Sequence, residues 1–118
     1  MDAGDKMGFL DKVKATAKNA DSKAGEAIDK GKVKSKIYEE ENEIKKLITK
    51  IGEAYYQSYT DGTDPKADMD AYCKEIDDRK AKIAEYEEEI KRIEEEGKKE
   101  REQNRAEAEA ASKKESEE

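Results

Sequence analysis

Thr60-Asp61-Gly62-Thr63-Asp64-Pro65-Lys66 is the stretch whose chemistry decides the fold. Gly62 can take the left-handed backbone conformation that ends a helix without a Cβ clash. Asp64 is a good N-cap for a second helix, and Pro65 fits its first position, where the missing N–H costs nothing. A connection this short makes the two helices antiparallel neighbours.

Outward from the turn, both sides keep a helical seam. Upstream, Val33, Ile37, Ile44, Leu47, Ile51 and Ala54 alternate between d and a positions, with Glu40 as a polar intruder. Ile48 and Tyr55 are predicted to widen that stripe at e. Downstream, Met69, Tyr72, Ile76, Arg79, Ile83, Tyr86, Ile90 and Ile93 hold strict 3-4 spacing, with Arg79 as the intruder. Apolar spacing kept over three or more heptads marks a packed helical seam. Antiparallel layering predicts Arg79 opposite Ile44 or Ile51 and Glu40 opposite Ile83 or Ile90. The two are therefore expected to snorkel to solvent rather than to bridge. Glu75/Arg79, Asp78/Lys82, Glu87/Lys91, Glu88/Arg92, Glu94/Lys98 and Glu95/Lys99 are acid-before-base pairs at i,i+4. Each adds about 0.2–0.5 kcal/mol of helix stability.

Composition agrees with long, thin helices. Of 118 residues 48% are charged and 33% hydrophobic, with one Phe and no Trp. So low an apolar share fits either a disordered chain or helices with one narrow buried stripe, and the periodicity selects the helices. The lone Cys73 excludes an intramolecular disulfide and a Cys-paired zinc site. No apolar run approaches the roughly 18 residues of a membrane span, and Met1-Asp2-Ala3-Gly4-Asp5 has no secretory-signal character. Cytoplasmic residence is the expectation, with a peripheral membrane location as its variant.

Charge divides the chain. Residues 7–36 carry eight Lys against four acids, a balance of +4, whereas residues 37–118 carry sixteen Lys and Arg against twenty-six acids, a balance of −10. Over 9–31, Leu10, Val13, Ala17, Ala20, Ala24 and Ala27 keep 3-4 spacing, although Gly25 and Gly31 each cost about 1 kcal/mol of helix propensity. The expected organisation is a flexible N-terminus at 1–8, an amphipathic basic helix at 9–31, an antiparallel hairpin over 32–111 with its turn at 60–65, and a disordered tail at 112–118. The fold class is all-α: an antiparallel two-helix coiled-coil hairpin with an additional N-terminal amphipathic helix. A bare pair of helices has a thin seam, so self-association or docking of the N-terminal helix is expected to complete it.

Two groups of residues are candidates for contact. Phe9, Leu10 and Val13 stand beside Lys12, Lys14 and Lys18. The preferred expectation is that the three apolar side chains cover the hairpin core. In the alternative they enter an anionic membrane surface, with the lysines outward. Full burial of all three amounts to about 4–8 kcal/mol gross, and each Lys near an anionic leaflet adds about 1 kcal/mol that salt removes. Of the aromatic group Tyr55, Tyr56, Tyr59 and Tyr72, the first and last fall on the seam and are expected in the core. Tyr56 and Tyr59 are left as partner contacts.

Other chemistry has little material. Asp61, Asp64, Asp68 and Asp70 do not have the spacing of a calcium loop, and capping accounts for the first two. There is no His, and Cys73 sits among Asp70, Glu75 and Asp77, an acidic field that disfavours a thiolate. A narrow hairpin offers no cleft to desolvate paired carboxylates. The acidic body argues against nucleic acid as a partner. No enzyme activity, metal, cofactor or small-molecule substrate is expected.

The start Met7-Gly8-Phe9-Leu10-Asp11-Lys12-Val13, the Ile51-Gly52 pair followed by Tyr55-Tyr56, and the Asp64-Pro65 turn together resemble a family of small bacterial coiled-coil proteins of uncharacterised function. Members often end in a zinc ribbon. This chain departs from that pattern, because its tail is polar and lacks paired cysteines. The resemblance covers most of residues 7–96. Thr16-Ala17-Lys18-Asn19-Ala20-Asp21-Ser22-Lys23-Ala24-Gly25-Glu26 is also similar to one copy of the eleven-residue repeat of desiccation-linked late-embryogenesis-abundant proteins. The resulting expectation is a non-enzymatic helical interaction or scaffold protein that acts on itself or on a protein partner. Its alternative is a peripheral membrane-binding or stress-protective protein that uses the N-terminal helix.

Overall fold

The computed structural model describes the backbone of residues 3–116 and the side chains of residues 9–114. The fold is an all-α helical hairpin of two helices, α1 (Ala3–Asp61) and α2 (Lys66–Ser116). The segments expected to be flexible at 1–8 and disordered at 112–118 lie partly outside the described residues. Within them, α1 already begins at Ala3 and α2 continues to Ser116. The 9–31 segment is part of α1 and not a separate helix, because no break interrupts the chain at Gly25 or Gly31. Neither glycine has a positive φ, so each is an ordinary helical residue.

Local chemistry makes the turn as the sequence predicts. Gly62 has φ of 74°, and its N–H donates to the Ser58 carbonyl at 2.8 Å. That bond is the left-handed C-terminal cap of α1. Asp61 Oδ1 accepts from the Thr63 N–H at 2.9 Å and from the Thr63 hydroxyl at 2.7 Å. Asp64 Oδ1 then caps α2 by accepting the Lys66 N–H at 3.0 Å, and the Pro65 carbonyl takes the first helical bond, from Met69 at 2.9 Å. The break is shorter than the predicted 60–65, since Thr60 and Asp61 remain helical until the left-handed residue arrives.

The molecule divides into two compact units, Lys32–Glu89 and the pairing of Met1–Gly31 with Ile90–Glu118. In the first, the hairpin unit, the predicted seam is the core. Val33 and Leu47 are each 4% exposed, and Ile37, Ile44, Ile51, Ala54, Met69, Tyr72, Ile76, Ile83 and Tyr86 are half-buried. Two lysines lie over the seam tyrosines: Lys36 Nζ is 5.8 Å from the centre of the Tyr86 ring, and Lys50 Nζ is 5.9 Å from that of Tyr72. Ile48 and Tyr55 do not widen the stripe as predicted; both are exposed. A single partner helix covers a and d, and nothing in this unit reaches their side of α1.

The Glu40–Arg79 bridge that the layering argued against does form. Arg79 Nη1 lies 3.0 Å from Glu40 Oε2, with both side chains half-buried, and Arg79 Nη2 lies 3.1 Å from Glu75 Oε1. Arginine is long enough to reach the neighbouring layer. Its planar fork serves two carboxylates at once.

In the second, the terminal unit, α1 and α2 meet through a polar seam. The half-buried positions of α1 are Asp11, Ala15, Asn19, Ser22, Gly25, Glu26 and Lys30. Those of α2 include Ile90, Ile93, Arg101, Asn104, Ala108 and Ala111, with Gly97 buried. Asn104 Nδ2 donates to Asn19 Oδ1 at 3.2 Å, Arg101 Nη1 lies 3.3 Å from Glu26 Oε2, and Lys30 Nζ lies 3.5 Å from Glu94 Oε1. The 11-15-19-22-26-30 spacing repeats every eleven residues, about 3.67 per turn against about 3.5 for a heptad seam.

Candidate interaction surfaces

Two surfaces stand out, one in each unit. In the hairpin unit, Tyr55 and Tyr56 are exposed and Tyr59 is 84% exposed, with Ile48 exposed two turns before Tyr55. The approach of α1 to its Gly62 cap thus carries three tyrosines that the seam does not use. Tyr56 and Tyr59 are the contacts predicted from sequence. Tyr55, expected in the core, is on the surface instead, because its e position has no helix opposite it. Tyr72 is the one member of the aromatic group that packs on the seam.

The terminal unit carries the other surface. Phe9 is 67% exposed, and Leu10 and Val13 are exposed as well. They do not cover a core, which overturns the preferred expectation for them. Ala17, Ala20, Ala24, Ala27 and Ile28 are also exposed. At about 100° per residue these positions share one face of α1, and the polar eleven-residue set occupies the other. Since α1 runs unbroken, one side only can meet α2, and that side is polar. Lys12 and Lys14 are exposed and border the apolar face. Lys18 lies on the opposite side, where it lines two grooves against α2. Sequence reasoning missed Ile28 and Lys23. Ile28 continues the apolar face four residues after Ala24, and helical projection finds it.

The larger groove, of about 570 Å³, is open and is lined by Ser22, Gly25, Glu26, Ile93, Gly97 and Asn104 among others. It exists because small and polar residues do not fill the interhelical space there. A Cβ on Gly97 would fall 2.8 Å from Glu26 Oε1, so this glycine leaves room for the Glu26–Arg101 pair. The Ser22 hydroxyl is enclosed without a protein partner.

Among the described residues, no helix is long and apolar enough to cross a membrane. In comparison with known proteins, no family model, no curated protein and no solved structure matches the chain. The resemblance to small coiled-coil proteins therefore rests on its motifs alone.

Proposed function

We propose that this chain is a non-enzymatic helical interaction protein whose hairpin unit engages a protein partner, or a second copy of itself, through Tyr55, Tyr56 and Tyr59. The observation that carries the reading is the exposure of all three rings beside a seam that is filled without them. Tyrosine suits such a surface, since it offers a large rigid ring and a polar tip at low conformational cost. The test is replacement of all three by Ser in the full chain, with sedimentation velocity and cross-linked capture from the native host. The wild-type chain is expected to self-associate or to hold a partner that the triple variant loses. A wild-type monomer that captures nothing, or capture unchanged by the substitutions, would overturn this reading.

A further inference from the structure

Over residues 9–28, the outward face of α1 in the terminal unit is apolar and accessible, with Asp21 the one acid at its edge. Phe9, Leu10 and Val13 mark one end of it and Ile28 the other, with Ala17, Ala20, Ala24 and Ala27 between them. Helical projection spreads these positions over an arc of about 100°. Lys12 and Lys23 are exposed and border the arc on one side, whereas Lys30 belongs to the side that meets α2, where it approaches Glu94 at 3.5 Å. Lys14 borders the other side, where Asp21 is the one exposed acid. The remaining acids of this stretch, Asp11 and Glu26, are on the α2 side with Asp29 just beyond them, and Glu26 is held by Arg101.

We propose that this face, residues 9–28 of α1, docks on an anionic lipid bilayer with the helix axis in the membrane plane. Lysines at the borders of an apolar arc can lay their alkyl stems along it and lift their ammonium groups to the phosphates. A second copy is a poorer occupant. Packed antiparallel on the same face, it would set Lys12 of one copy against Lys23 of the other, a like-charge contact along that border. The alanine centre makes insertion shallow, so binding depends on the lysines and weakens as salt screens them. This proposal is independent of the tyrosine surface.

The chain has no Trp, so Val13→Trp places a single indole, excited selectively over the tyrosines, on the exposed face. With vesicles of equal parts phosphatidylglycerol and phosphatidylcholine at low salt, the full-length variant is expected to shift to the blue and to float with the vesicles. Pure phosphatidylcholine should hold it at least ~10-fold more weakly. Replacing Lys12, Lys14 and Lys23 together by Gln should weaken binding on the order of 100-fold. Leu10→Glu with Val13→Glu should abolish flotation while circular dichroism keeps the helical signal, since both side chains are exposed. The Tyr55/Tyr56/Tyr59 variant should float as wild type does. Absence of flotation at low salt, or undiminished flotation of the Glu variant, would overturn the proposal. So would a wild-type oligomer that ignores vesicles and dissociates in the Glu variant, since the face would then be occupied by a second copy.

Discussion

Glu40 and Arg79 interrupt an otherwise apolar seam, and their pairing makes the interruption tolerable. Arg79 gives Nη1 to Glu40 and Nη2 to Glu75, while its Nε is enclosed with no protein partner. The neighbouring carboxylates raise the guanidinium pKa further, by hydrogen bonds to Glu40 and then Glu75. Arg79→Leu alone leaves Glu40 half-buried without its cation, so its melting temperature should fall. Glu40→Leu with Arg79→Leu restores a continuous apolar seam and should melt no lower than wild type. Thermal melts of the singles and the double decide this. At the turn, the Thr63 hydroxyl and then the Thr63 N–H bond Asp61 and hold its carboxyl below its ordinary pKa. Because the folded pKa is depressed, the stabilisation is complete above about pH 4, the ordinary Asp value, and is lost as pH falls through the folded value. The stability gap between wild type and Asp61→Asn, from urea titrations, should therefore be constant near neutrality and close in acid.

For the helices as elements, the glycines sort by surroundings. Gly31 and Gly52 have ordinary helical φ, and a Cβ added at either would meet no atom within 4 Å. Gly31→Ala and Gly52→Ala should each stabilise by about 0.5–1 kcal/mol, through a less flexible unfolded chain. Gly62→Ala should instead cost about 1 kcal/mol, because φ of 74° forces a side chain into the left-handed region. Chemical denaturation of the three variants separates the two signs. The turn was legible from sequence because caps are local: Gly62, Asp64 and Pro65 act on their own backbone. Exposure of Tyr55 and Ile48 was not legible, because an e position is buried only when a third helix is present.

Across the molecule, the two units carry different seams on the same pair of helices. The hairpin unit buries Val33 and Leu47 and packs isoleucines, whereas the terminal unit joins its helices through Asn19–Asn104, Glu26–Arg101 and Lys30–Glu94. Partly exposed polar contacts contribute less than apolar burial. Amides in 10–30 and 98–112 should accordingly exchange with deuterium before those in 37–51 and 72–86, as followed by mass spectrometry. Equal protection of both units would contradict that ranking.

Sequence by itself determined the hairpin pair, its reversal at Gly62 and the heptad seam beside it, since capping and period act over a few residues. It set 9–31 apart as a helix of its own, which the structure joins to α1. Tertiary structure decided which side of α1 faces its partner over residues 9–30. Two periodic faces coexist there, the apolar 10-13-17-20-24-27 and the polar 11-15-19-22-26-30. Local propensity cannot rank them. An unbroken helix presents one side to α2, and the polar side is the one that meets it, leaving the apolar side to solvent.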